Sequence, residues 1–271
     1  MMRYKNVLSK AAINMFYNII PYIKFLFKST NQHGVHSPFV FQLITSCFYD
    51  KTPYPAYEAI VRYRHTLLQD GTQIKVVDLG AGSQVMTAGN RRVSTIAKHA
   101  GTPLKRAKLL YRLNHYLKCD TILELGTSLG IASHALHLGN PKAHITTLEG
   151  CPNTAAYAKQ AFEAQGITRI TSIVGPFEDT IHQLTAPTYD LVFFDGHHQK
   201  AATLHYFELL IDRAHNDSVF IFDDIHWSKG MTEAWETIKR HPRASVTLDT
   251  FFWGVVFFRK EQAKEHFTIR V

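Results

Sequence analysis

Two stretches hold most of the residues that could do chemistry. One runs Asp190-Leu191-Val192-Phe193-Phe194-Asp195-Gly196-His197-His198, the other Phe220-Ile221-Phe222-Asp223-Asp224-Ile225-His226-Trp227. In each, a short apolar run stops on a carboxylate. Ligands of open α/β sheets bind at the carboxyl ends of strands, where the strand order reverses. Asp195, Asp223 and Asp224 are therefore placed to converge, and together they could hold one hard cation that prefers oxygen. His198 follows Asp195 by three residues. Its imidazole can take a proton near neutral pH without a large pKa shift, or ligate a transition metal beside the aspartates. A histidine merely hydrogen-bonded at a strand end is the plainer alternative. His226 and Trp227 are candidates for a pocket wall only.

A second constellation lies upstream, in Ile122-Leu123-Glu124-Leu125-Gly126-Thr127-Ser128-Leu129-Gly130-Ile131. A buried strand runs into a glycine turn and then a helix, whose first N–H groups can face a ligand. Alone, that loop fits a dinucleotide site or a tight βα turn equally well. Glu149, about twenty residues on, is placed to accept hydrogen bonds from ribose hydroxyls. The spacing is Glu-x-Gly-x-x-x-Gly rather than Gly-x-Gly-x-x-Gly, with an acid at its first position. A similar run, Val77-Asp78-Leu79-Gly80-Ala81-Gly82-Ser83, lacks both the distal acid and a following helical pattern. It reads as a loop, either a surface turn or part of an acceptor pocket.

These groups need a scaffold, and the second half of the chain supplies its pattern. Apolar runs at 121–125, 144–148, 170–174, 191–194 and 218–222 alternate with helix-period segments at 153–165, at 201–213 and after Gly230. That alternation specifies βα units and a parallel sheet. Runs at 245–251 and 254–259 then follow almost without a break, as in an antiparallel hairpin.

On these residues the chain, over positions 100–260, resembles class I S-adenosylmethionine-dependent methyltransferases, and among them the O-methyltransferases similar to catechol and caffeoyl-CoA enzymes. It also resembles bacterial methyltransferases over nearly its whole length, including His36-Ser37-Pro38 and the Asp223-to-Trp227 run. The resemblance implies a Rossmann-like three-layer α/β sandwich: a seven-stranded, mostly parallel sheet with a C-terminal antiparallel hairpin, plus an N-terminal helical extension. Residues 1–100 would cap the site and 101–271 would form the methyltransferase domain. S-adenosylmethionine would be the cofactor. Glu124 would lie near its methionine end, with Gly126, Thr127, Ser128 and Gly130 lining the loop. Glu149 would hold the ribose, with Gly150 and Cys151 beside it, and Gly175 and Phe177 would flank the adenine, although Phe177 reads equally well as a core aromatic. Asp195, Asp223 and Asp224 would hold Mg2+ or another divalent cation that acidifies the acceptor hydroxyl. Two positions depart from the family: Asp224 stands where asparagine is usual, and His198 where a lysine base is usual.

Composition limits the alternatives. With 271 residues, 45% hydrophobic and 19% charged, the chain builds a sizeable core and is not a disordered polymer. Its three cysteines, Cys47, Cys119 and Cys151, form no C-x-x-C pair, which fits a reducing, cytoplasmic setting and gives no support to a zinc or redox site. A net charge of +8 admits acidic partners, but no long basic block, no appended RNA-binding motif and no Asn/Asp-Pro-Pro-aromatic motif supports RNA methylation. The expected partner is a small hydroxylated acceptor, with an aromatic one among the candidates, rather than nucleic acid. A non-catalytic S-adenosylmethionine-binding protein is the alternative of another class, against which the intact Asp195, His198, Asp223 and Asp224 cluster argues. A homodimer is compatible with this reading. The apolar stretch 11–23, broken by Asn14, Asn18 and Pro21 and flanked by lysines, is too short to span a bilayer. It reads as an amphipathic helix packed on the domain, with a membrane surface as the alternative.

Overall fold

Strands that are apolar on both faces have no solvent side, and they pair in parallel between layers of helices. The computed structural model, which describes residues 19–77 and 89–271, shows this arrangement for β3 (Thr121–Leu125), β4 (His144–Glu149), β5 (Ile170–Val174), β6 (Tyr189–Phe194) and β7 (Ala214–Asp223). These pair in parallel in the order β5-β4-β3-β6-β7. The order reverses at β3/β6, where the chain leaves β5 and crosses to the other side of β3. The C-terminal hairpin is β8 (Val246–Asp249) and β9 (Trp253–Phe257), with β9 lying antiparallel to both β8 and β7.

The sheet has eight strands, where the sequence pattern suggests seven. The additional one, β10 (Glu265–Thr268), runs parallel to β8 at the edge. It is four residues long, and Glu265 and His266 are exposed while Phe267 and Thr268 are half-buried, so it lacks the alternation that marks a strand. Its edge is covered by the chain near Thr30, whose N–H donates to the Thr268 carbonyl at 2.9 Å and whose carbonyl accepts from Arg270 N–H at 3.1 Å.

Successive side chains of the central strands enter opposite layers, as the period of two requires. Leu191 and Phe193 of β6 and Val219 and Ile221 of β7 enter one core, while Val192, Phe194, Phe220 and Phe222 enter the other. The first core is closed by α3 (Ala56–Gln69), α4 (Val93–His99), α5 (Leu104–Leu117) and α6 (Ile131–Gly139). The second is closed by α8 (Phe177–Ile181), α9 (Lys200–Ile211) and α10 (Lys229–Arg240). The remaining long helix, α7 (Pro152–Ala164), joins β4 to β5.

In the N-terminal half, a helix over 19–28 (α1) buries Phe25, which with Tyr22 meets Phe251 at ring centroid distances of 5.5 and 4.8 Å. The opposite side of α1 leaves Ile20 and Phe27 exposed. The Ser37-Pro38 pair starts a helix, α2 (Pro38–Leu43), with the Ser37 hydroxyl accepting from Val40 N–H and proline in the first turn. A two-stranded ribbon, β1 (Gln73–Val76) with β2 (Gly89–Arg92), stands beside α7. The Gly80-to-Ser83 turn and the first part of the 11–23 stretch lie outside the described residues. Among the described residues, no helix is long and apolar enough to cross a membrane.

Gly254 in β9 shows how closely the second core is packed. A Cβ there would lie 2.6 Å from the ring of buried Trp235. Gly254→Ala should therefore cost about 1–3 kcal/mol through overpacking, read as a lower urea midpoint at unchanged slope. An unchanged midpoint would show that the β9–α10 contact is looser than described.

Candidate active site

Strand register sets the site. Leu125 pairs with both Leu148 and Phe194, and Phe194 pairs with Phe222, so the next residues along (Gly126, Glu149, Asp195 and Asp223) emerge in one row. The row lies at the carboxyl ends of the strands, across the reversal of order.

The β3 loop is shaped by Gly126, Ser128 and Glu149. Gly126 has φ of +108°, and a Cβ on it would stand 2.2 Å from the Asp195 carbonyl oxygen. Only glycine allows these two strand-end loops to touch. Ser128 also has positive φ, and its N–H donates to Glu149 Oε2 at 2.8 Å. Glu149 Oε1 accepts from Cys151 N–H at 2.9 Å, which fixes the carboxylate between two loops while each oxygen keeps a further acceptor position. Burial raises the Glu149 pKa, and the N–H groups of Cys151, Ser128 and Gly150 oppose that rise.

Glu124 lies beneath the loop with no exposed surface. Its Oε2 accepts from the Ser133 hydroxyl and, at 2.5 Å, from the Thr147 hydroxyl, whereas Oε1 is buried without a partner. Burial pushes its pKa to about 7, against the pull of those two hydroxyls. A buried acceptor with no donor is costly, and a cationic or N–H-bearing ligand above the loop would relieve it.

Other loop residues have structural partners. Thr127 is buried, and its hydroxyl shares a 2.6 Å hydrogen bond with that of Thr147. Gly130 takes positive φ at the start of α6, where a Cβ would meet the Phe162 ring at 2.4 Å. The Cys151 thiol is buried against Val77 N–H at 3.3 Å. Gly175 ends β5 with φ of +146°, its N–H donating to the Glu149 carbonyl at 2.9 Å. Phe177 packs edge-on to His197 and Tyr206 and lies 2.8 Å from where a Cβ on Gly196 would be.

The second half of the site is carboxylate-rich. Asp195 N–H donates to the Leu125 carbonyl at 2.9 Å, and its side chain hydrogen-bonds Asp223. Burial first, and the Asp223 charge next, hold the Asp195 pKa well above the usual carboxylate range. Asp223 rises to about 6 through burial and Asp224, with Arg106 and His198 opposing. Two carboxyls in contact favour holding one proton between them. His198 thus lies within electrostatic reach of Asp223. His197, with positive φ, is tied through Nδ1 to the Tyr206 hydroxyl at 3.0 Å. His226 is bound on both ring nitrogens, by Thr232 at 3.2 Å and Asp249 at 2.9 Å, and stacks on Phe251. Trp227 and Phe252 are exposed beside these groups, 40% and 48%.

Sequence reasoning misses Arg106. Its Nη1 donates to Asp223 Oδ1 at 2.8 Å, Asp223 Oδ2 at 3.1 Å and Asp224 Oδ1 at 3.3 Å, and its guanidinium lies 4.5 Å from the Phe252 ring centre. A guanidinium thus lies against three of the oxygens that the expected cage of Asp195, Asp223 and Asp224 would offer a divalent ion. Among the described residues, no cluster of three His, Cys, Asp or Glu side chains is arranged to hold a metal. Nothing in the sequence near Arg106 marks it, because its partners lie 117 and 118 residues away. A cavity of about 490 Å3 near Arg243, Arg259 and Lys264 lies by the starts of β7 and β8, away from this row, and those cations already bind Asp212, Asp217 and backbone carbonyls.

Comparison with known proteins agrees with this geometry. Residues 123–225 match the family model described as a methyltransferase domain. The chain is 29% identical over 123 residues to a catechol O-methyltransferase of Mycobacterium tuberculosis, an alignment spanning 45% of this chain and 55% of that protein. It is 32% identical over 115 residues to a putative O-methyltransferase of a Mycobacterium species, spanning 41% and 52%. The chain thus spans about half the length of the curated relatives it matches. A Podospora anserina methyltransferase solved with bound S-adenosylhomocysteine superposes with a TM-score of 0.60 at 17% identity, over 83% of this chain and 97% of that one. That likeness shows the fold: a Rossmann-like three-layer α/β sandwich.

The raised Glu124 pKa makes a stability prediction. The folded state keeps its proton up to about pH 7, whereas the unfolded carboxyl releases it near 4.5. Stability is therefore lost as pH rises from about 4.5 to 7, by on the order of 2–3 kcal/mol, and levels off above. Glu124→Gln should remove that slope, so the variant gains on the wild type with rising pH in denaturant melts. Parallel pH curves for the two proteins would contradict the buried, proton-holding carboxyl.

Proposed function

We propose that this chain, whose residues 123–225 carry a methyltransferase domain, transfers a methyl group from S-adenosylmethionine to a hydroxyl of a small, plausibly aromatic acceptor. The observation that carries the reading is the contact between the two loops: Gly126 lies against the Asp195 carbonyl, so the expected cofactor loop and the carboxylate cluster adjoin. The residues fit the cofactor. The unpartnered Glu124 Oε1 and the pre-oriented Glu149 carboxylate are acceptors awaiting donors, as an amino group and ribose hydroxyls would supply.

When bound, the cofactor supplies an activated methyl on a sulfonium, which leaves the protein to align the acceptor and receive its proton. The acceptor oxygen forms the new bond to the methyl carbon while the carbon–sulfur pair stays on sulfur. Asp195 accepts a hydrogen bond from the hydroxyl and aims it along that line. His198 takes the proton, a task suited to an imidazole near neutral pH. Trp227 and Phe252 offer flat apolar faces for an aromatic ring. From the region expected to cap the site, α1 packs on Phe251 next to Phe252. No step is assigned to a divalent metal, because Arg106 fills its place.

The reading is tested by following label from methyl-labelled S-adenosylmethionine into a panel of phenols and catechols. Wild type should form an O-methyl product, and His198→Gln should lower kcat by about 10²–10⁴-fold with cofactor affinity unchanged. Equal rates in the two proteins would remove His198 from the mechanism. Cofactor binding without any methylated product would favour a binding protein over an enzyme.

A further inference from the structure

We propose that Arg106 is the built-in cation of this site and a positioning residue for it: its guanidinium does permanently, at Asp223 and Asp224, the charge-balancing that the resemblance would assign to a bound divalent ion. The inference rests on the methyltransferase reading for its purpose, but its geometry stands independently.

Two contacts hold the guanidinium in place, and a third feature makes its position depend on them. First, Nη1 lies 2.8 and 3.1 Å from the two oxygens of Asp223 and 3.3 Å from Asp224 Oδ1, bridging neighbouring carboxylates. A divalent ion on those carboxylates would sit about 2.0–2.6 Å from the same oxygens, inside the space that Nη1 fills, so the two exclude each other. Second, the guanidinium lies 4.5 Å from the Phe252 ring centre, a cation–π contact that fixes its plane. Third, Arg106 stands in the first turn of α5, which contains no acidic residue. A cation there faces the positive end of the helix dipole, so the placement gains nothing from its own helix and depends on the carboxylates opposite.

Asp224 reinforces the pairing. It takes φ of +53°, a left-handed conformation uncommon outside glycine, asparagine and aspartate. That turn brings its carboxylate round to the same Nη1 that Asp223 holds. The aspartate that departs from the family's usual asparagine is thus the second anchor of the arginine. An arginine stays charged at any working pH and cannot be chelated away, so the site needs no metal to balance its carboxylates.

The test is titration of the whole chain with Mn2+, followed by the resonance signal of unbound Mn2+, with S-adenosylhomocysteine present. Wild type, Arg106→Lys and Arg106→Ala are compared, and S-adenosylhomocysteine affinity is measured separately for each. Wild type should take up no Mn2+ below about 1 mM, the weak limit of carboxylate-built sites. Arg106→Lys, which keeps a cation, should behave like wild type. Arg106→Ala should open the cage and bind Mn2+ at least about tenfold more tightly. Saturable Mn2+ uptake by wild type at lower concentration would overturn the proposal, and that arm does not depend on any variant folding. An Arg106→Ala protein that binds S-adenosylhomocysteine but takes no Mn2+ would overturn it too. Failure of wild type to bind S-adenosylhomocysteine would count against the cofactor reading instead, while the Mn2+ comparison would still report on Arg106.

Discussion

Carboxylates crowded at the ends of neighbouring parallel strands are the constraint around which this molecule is organised. Glu124, Glu149, Asp195, Asp223 and Asp224 all lie at the carboxyl ends of β3, β4, β6 and β7, and burial disfavours ionisation of the first four. Each is accommodated differently. Hydroxyls of Ser133 and Thr147 serve Glu124, backbone N–H groups serve Glu149, Asp195 hydrogen-bonds Asp223, and Arg106 meets Asp223 and Asp224. These compensations come from α5, α6 and three loops, so the helical layer on one face of the sheet and the acidic row depend on each other.

The compensations divide the row into two functional halves. On the β3–β4 side, Glu124 and Glu149 keep acceptor capacity directed at a ligand. On the β6–β7 side, the aspartates are internally balanced and bordered by exposed Trp227 and Phe252. Gly126 joins the halves, since any side chain there would collide with the Asp195 backbone. On the proposed reading, cofactor and acceptor would therefore lie side by side, which is the geometric requirement of a direct transfer.

Much of this scaffold is legible in the sequence. The five parallel strands follow from apolar runs bounded by turn residues, and the β3 loop from its glycines and the distal Glu149. Other features depend on contacts distant in sequence. β10 has no hydrophobic alternation and forms only because an edge of β8 is available to it. Gly130 looks like a ligand-facing glycine, yet the neighbour that needs it small is Phe162 of α7. Thr127 and Cys151 stand in the expected loops but spend their side chains on Thr147 and Val77. Arg106 reaches the aspartates expected to hold a metal, yet these partners are more than a hundred residues away from it in the chain. Spacing along a chain reports strand ends well, but it says little about which helix delivers a charge to them.

The most direct test of the account is calorimetric titration of the folded wild-type chain with S-adenosylhomocysteine, set beside Glu149→Ala. The account predicts saturable binding with Kd at about micromolar or tighter for wild type, and its loss in the variant, because Glu149 shapes the β3 loop and would hold the ribose. A folded wild-type chain that shows no heat of binding would contradict the central claim and leave a Rossmann-like α/β sandwich without the proposed cofactor.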